Sequence, residues 1–157
     1  MNTIDREVIS EELIFLDVDL NNREDVIKYI AEKAHEAGYV ESKEVFVEKV
    51  MQREGEVSTA IGYSIAIPHG KSEDVNSPFI AFLRCKEAFI WDINNSEETA
   101  SLIFLIGIPK EHAGKLHLKY ISELSKRLLN EDFRSNLCSK STVSEIFEHL
   151  SSIEINK

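Results

Sequence analysis

The order of segments along this chain predicts an α/β fold, a single domain with a mixed β-sheet flanked by helices on both faces. Three observations carry the prediction. Segments with apolar residues at helical spacing alternate with short apolar runs of strand length, with no repeat or linker between them. The run at residues 102–108, LIFLIGI, is apolar throughout and is stopped by Pro109, as a strand buried on both sides would read. The chain has 157 residues, 43% of them hydrophobic, which is enough for one sizeable core and too apolar for disorder. The expected domain spans residues 1–157, with a core at about 8–151.

Each element follows in order. Residues 1–10 form a polar lead-in. Residues 13–20 (LIFLDVDL) pass from an apolar run into alternation, a strand pattern. Asn22 caps a helix whose apolar positions Val26, Ile27, Ile30, Ala31 and Ala34 recur at helical spacing and which stops at Gly38. Ser42 caps a second helix with Val45, Phe46, Val50 and Met51 on one face, running out near Arg53-Glu54. Residues 58–64 read as loop and 65–67 as a short strand. Residues 79–84 and 88–92 read as two strands or a hairpin, and a polar loop at 94–98 precedes the strand at 102–108. Leu116, Tyr120, Ile121, Leu124 and Leu128 mark a long amphipathic helix. A short helix is expected near residues 133–137. Thr142 caps a last helix holding Ile146, Phe147 and Leu150, and Glu145, three residues on, completes a capping box.

Composition narrows the function classes. A net charge of −10 excludes a nucleic-acid partner, because no basic block offsets phosphate repulsion. The two cysteines, Cys85 and Cys138, stand in no metal spacing and read as buried small hydrophobes, not as a disulfide or a nucleophile. The opening MNTIDREVIS lacks the apolar core of a secretory leader, and no apolar run approaches the roughly 20 residues of a membrane span. A cytoplasmic protein without membrane insertion is expected.

The chemistry concentrates at residues 65–71, IAIPHGK. A short apolar strand runs into Pro68, which has a fixed φ and no N–H and biases Ile67 toward extended backbone. Gly70 is expected to let the chain leave by a turn. His69 is thereby held at the end of a rigid strand. An imidazole so presented suits nucleophilic work on a small electrophile.

The wider segment, Arg53-Glu54, Ser58-Thr59, Ile61-Gly62 and Ile65-Ala66-Ile67-Pro68-His69-Gly70-Lys71, resembles the phosphorylation-site region of enzyme IIA of the sugar phosphotransferase system, in its fructose/mannitol branch. His117-Leu118-Lys119 followed by Ile121-Ser122 and Leu124 is similar to the helix that carries that family's second active-site histidine. The resemblance runs from about residue 13 to 150.

The resemblance implies specific roles. His69 would take a phosphoryl group from the phosphocarrier protein HPr, on Nε2, and pass it to enzyme IIB, which feeds a membrane IIC permease. No cofactor or metal is implied, since transfer needs only positioning and charge stabilisation. His117, near the start of its helix, would donate a hydrogen bond to the phosphoryl oxygens or help hold the His69 ring. Arg53 would bind phosphate oxygens or meet an acidic residue of a partner. Thr59 would orient His69 or give its hydroxyl to the phosphoryl. Lys71, His35, His112 and His149 receive no role. Relay between two partners requires an open, shallow site, for which Ile61, Tyr63 and Leu116 are candidate apolar rim residues. The S-T-x-I-G loop and the Gly-Lys after the histidine fit the fructose and nitrogen branches. Sugar transport is one expected function, with fructose or a related sugar carried by the membrane component. A nitrogen-type regulatory phosphoprotein is the alternative.

Overall fold

The computed structural model describes residues 8–94, 97–110 and 115–153, with the side chains of 115–118 excepted. Strand β6 (Thr99–Pro109) is the axis of a mixed sheet. Strand β5 (Phe79–Ile90) runs antiparallel along one side of it, and β1 (Ile14–Val18) lies parallel outside β5. Along the other side lie β3 (Ile65–Ala66) and β4 (His69–Ser72), both parallel to β6, with β2 (Ala60–Gly62) antiparallel to β3.

Side chains alternate across this sheet. From β5 and β6, Phe79, Ala81, Leu83, Ile103 and Leu105 face one core, with α1 (Arg23–Glu36) and α2 (Lys43–Glu56). Ile80, Phe82, Leu102, Phe104 and Ile106 face the other, with α3 (Lys115–Arg127), α4 (Glu131–Ser139) and α5 (Val143–Ser151). The α/β architecture with helices on both faces is therefore as the sequence predicts. Full burial of each large apolar side chain contributes about 1.5–3 kcal/mol, and both the central strands and the helices supply such side chains.

The expected caps are in place. Asn22 accepts from the Asp25 N–H at 2.8 Å, Ser42 from Val45 at 3.2 Å, and Thr142 with Glu145 forms a capping box. Each contributes about 1 kcal/mol. Helix α2 extends to Glu56, beyond the expected end, so Arg53 and Glu54 belong to its last turn.

Several expectations are corrected. Residues 60–62, expected as loop, form β2, because Gly62, Tyr63 and Ser64 adopt φ of 96°, 58° and 61° and turn the chain into a tight hairpin with β3. The stretch expected as two strands or a hairpin is one strand, β5, whose register shifts between Arg84 and Phe89 through exposed residues 86–88. Cys85 is buried, its thiol pushed up to about 11 by burial, but Cys138 is exposed on α4 and is no core hydrophobe. Gly70 makes no turn. It lies within β4 at ordinary φ, and a Cβ there would stand 2.7 Å from Cγ2 of Val50, so its role is the close approach of α2 to β4.

Candidate functional site

The backbone of residues 65–72 runs along β6 in one unbroken register. Ile65 lies opposite Leu102, Ala66 opposite Ile103 and His69 opposite Ile106. Pro68 interrupts the ladder only by lacking an N–H, and its carbonyl still accepts from Ile106 N at 3.0 Å. His69 therefore opens β4 in the middle of an extended line, not at a strand end as expected. By the same alternation His69 shares a sheet face with Ile65 and Ile67, toward α3, while Gly70 faces α2.

The His69 ring is half-buried, and its Nδ1 lies 3.3 Å from the Ile67 carbonyl oxygen. A carbonyl only accepts, so Nδ1 carries the proton and donates. The neutral ring then has its lone pair on Nε2, which has no hydrogen-bond partner among the described residues. The ring borders an open depression of about 400 Å³ lined by Arg53, Ser58 and Thr59 and by the apolar Ile61, Ile67, Ile106, Ile108 and Ile121.

Arg53 enters from the last turn of α2, where the helix dipole favours a cation. Its Nη1 donates to the Val57 carbonyl at 2.9 Å, its sole hydrogen bond among the described residues. The rest of the guanidinium fork is available to an anion in the depression. The structure thus brings His69, Arg53 and Thr59 into one site.

Thr59 is placed differently from expectation. It is buried, and its hydroxyl donates to Glu54 Oε2, so that proton is directed away from His69. Its contribution to the histidine runs through backbone, because its carbonyl accepts from Ile67 N at 3.0 Å. His117 falls in the first turn of α3, the helix whose Ile121 lines the depression, but its side chain lies outside the described residues, as do Leu116 and His112. Of the expected rim, Ile61 is present and half-exposed, at 49%. Tyr63 is elsewhere: its ring lies under the Arg134 guanidinium at 3.7 Å, an arrangement that pins the β2–β3 turn to α4.

Glu54 is a site-region residue without an expected role. It is 2% exposed and accepts from Arg23 Nη1 at 3.3 Å and Trp91 Nε1 at 3.0 Å, besides both donors of Thr59. Its signal in the sequence is an acid four residues after Val50, on the stripe of Phe46 and Val50 that packs into the core. Among the described residues no group of three or more His, Cys, Asp or Glu is arranged to hold a metal ion, and no helix is long and apolar enough to cross a membrane.

Fold and site together define a three-layer α/β protein with a half-buried histidine beside an arginine in an open depression. The profile of the family "Phosphoenolpyruvate-dependent sugar phosphotransferase system, EIIA 2" matches residues 7–153, and the chain belongs to that family. The fructose-specific EIIA component of Haloferax volcanii is 35% identical over 138 residues, covering 86% of this chain and 88% of that protein. The 2-O-alpha-mannosyl-D-glycerate-specific EIIABC component of Escherichia coli is 30% identical over 135 residues, but those span 86% of this chain and only 20% of the longer protein. Among solved structures, nitrogen regulatory protein IIA-Ntr from Neisseria meningitidis superposes with a TM-score of 0.80 at 26% identity, over 91% of this chain and 96% of that one. Enzyme IIA of mannitol from Escherichia coli, solved in complex with phosphorylated enzyme IIB, gives 0.76 at 26% identity, over 91% and 96%.

Proposed function

We propose that this protein is a phosphoryl carrier of the sugar phosphotransferase system, accepting phosphate from phospho-HPr on His69 and passing it to an enzyme IIB for uptake of fructose or a related sugar through a IIC permease. The observation that carries the reading is the contact of His69 Nδ1 with the Ile67 carbonyl, which leaves the lone pair on Nε2 at an open depression that Arg53 also lines. The 35% identity to a fructose-specific component supports the transport branch, and the solved IIA–IIB complex of a relative supports the partner.

The chemistry balances without a cofactor. The Nε2 lone pair attacks phosphorus, the N–P bond of the donor's phosphohistidine breaks, and the donor ring keeps that electron pair. His69 retains its Nδ1 proton throughout. As the His69 ring gains positive charge, its bond to the Ile67 carbonyl becomes charge-assisted and strengthens. Arg53 offers its fork to the phosphoryl oxygens as they separate from the donor. A nucleophilic side chain of IIB then takes the phosphoryl, and Nε2 recovers its lone pair. Open apolar surface around the site, including Val57 and Ile61, gives transient partners a desolvated contact.

Incubation with phosphoenolpyruvate, enzyme I and HPr is expected to label His69 alone, with an acid-labile, alkali-stable phosphate. Label persisting in His69→Ala would overturn the assignment. His117→Ala is expected to accept phosphate yet pass it to IIB about 10²–10³ times more slowly, as a lost charge-stabilising donor would. Normal onward transfer removes His117 from the mechanism. A second reading, a regulator that binds partners according to its phosphorylation state, is favoured by the TM-score of 0.80 to a nitrogen regulatory protein. Transfer to a IIB encoded beside this protein separates the two.

A further inference from the structure

Arg53 and Glu54 are neighbours on α2, yet they face opposite ways. Arg53 reaches the depression, while Glu54 is turned into the protein. A buried carboxylate is expensive to desolvate, and replacing a buried ion pair by apolar side chains is often neutral or stabilising. The stripe of Phe46 and Val50 to which Glu54 belongs would accept an apolar residue on packing grounds. What an apolar residue there would lose is the grip on Thr59. Glu54 receives both the Thr59 N–H, at 3.4 Å, and the Thr59 hydroxyl. The carboxylate is itself held by Trp91 at 3.0 Å and by Arg23 at 3.3 Å.

From Thr59 the connection to the histidine is short. The Thr59 carbonyl accepts from Ile67 N at 3.0 Å, and the Ile67 carbonyl accepts from His69 Nδ1 at 3.3 Å. This tie matters because Pro68 removes one ladder donor at the same point of the strand. We propose that Glu54 is a positioning residue for phosphoryl transfer: held by Trp91 and Arg23, it fixes Thr59 and, through the Ile67 backbone, the ring orientation and Nδ1–H tautomer of His69. The proposal rests on the phosphoryl-carrier reading above. Glu54 touches no reacting atom and acts only through Thr59.

Two variants test it. Glu54→Met keeps the length of the side chain and removes both acceptor oxygens, whereas a glutamine amide could still donate to the Thr59 hydroxyl. Arg23 stays paired in this variant, because Asp92 lies 3.5 Å away. Thr59→Val removes the hydroxyl and keeps shape and backbone N–H. Each is expected to lower kcat for phosphorylation by phospho-HPr about 10- to 100-fold, the size of effect that a small misplacement of a reacting group produces. KM for phospho-HPr should stay within about twofold, since Glu54 and Thr59 are both buried and present little surface to a partner. The double variant should be no slower than the slower single one, because both break the same link. Thr59→Ser should restore the rate, and ring ¹⁵N shifts of unphosphorylated His69 should show less Nδ1–H tautomer in Glu54→Met and Thr59→Val. Folded variants with wild-type kcat and an unchanged His69 tautomer would overturn the proposal, as would losses that multiply in the double variant. The ¹⁵N measurement needs no phosphate donor. If wild-type protein takes no phosphate from phospho-HPr, the carrier reading fails while the coupling of Glu54 to His69 is still decided by those shifts.

Discussion

His69 and His149 make the same kind of contact in two different regions. Each points one ring nitrogen at a backbone carbonyl, His69 Nδ1 at Ile67 at 3.3 Å and His149 Nε2 at Phe133 at 3.1 Å. The surroundings of the ring differ. His149 lies against Phe133, with ring centroids 4.2 Å apart, in the contact between α4 and α5, and burial holds its pKa below the ordinary 6.5. His69 borders an open depression that it shares with a guanidinium. One hydrogen-bond type thus serves a helix junction in one place and the edge of an open depression in the other. What separates them is the setting: His149 packs on Phe133 between two helices, while His69 opens onto a depression that Arg53 also lines.

The sharpest break of this comparison is a pair of alanine variants. His69→Ala should abolish phosphoryl labelling and His149→Ala should leave its stoichiometry unchanged. Loss of labelling in a folded His149→Ala would show that the two sites are not separate. Next in size, Arg53→Glu should slow labelling of His69 by about 10²–10³, through loss of charge stabilisation. Its cost in folding should stay at about 1 kcal/mol or below, because the partly buried Arg53 makes a single hydrogen bond among the described residues, to the Val57 carbonyl. A chemical melt that shifts by more than this would mark Arg53 as structural.

Gly70→Ala probes the other face of the same strand. Its Cβ would meet Val50 at 2.7 Å and Phe46 at 3.2 Å, so α2 must move from β4 at a cost of about 1–3 kcal/mol. Because α2 carries Arg53, transfer should slow as well, and unchanged stability would refute the close-approach account. The smallest effect is at His149. With its folded pKa below the unfolded value, the unfolded chain binds the proton more readily. Stability is therefore complete above about pH 6.5 and falls as pH drops from there. Partial exposure screens the effect. Asp17, held low chiefly by its hydrogen bond from Arg84, and Glu145, held low by the Ser141 N–H, do not interfere. Their contributions are lost only as pH falls below the ordinary 3.8 and 4.5. Melting between pH 7 and 5 should fall less in His149→Gln than in the parent, and identical slopes would remove the effect.

Much of the site was legible because its residues sit close together in sequence. Arg53, Thr59 and His69 fall within one short segment, the one that carries the resemblance to the enzyme IIA family. The apolar floor was not legible. Ile106 and Ile108 come from β6 and Ile121 from α3, and only the pairing of β4 with β6 gathers them there. Tyr63 was misassigned to the rim for a related reason: its partner Arg134 is distant in sequence, and that contact decides where the ring lies.

Beyond singling out His69 as the candidate nucleophile through the resemblance to the enzyme IIA family, the sequence alone determined the α/β class and the caps at Asn22, Ser42 and Thr142. Those properties depend on apolar period and on hydrogen bonds reaching three residues, which are local. Tertiary structure decided the rest. Whether Gly70 serves a turn or a close contact depends on how near α2 comes. Whether Glu54 is a surface charge or a buried hub depends on Arg23, Trp91 and Thr59 meeting it. Whether residues 79–90 make one strand or two depends on a bulge that the partner strand β6 accommodates. Each of these is a contact between residues far apart in the chain, and no local pattern encodes the distance between them.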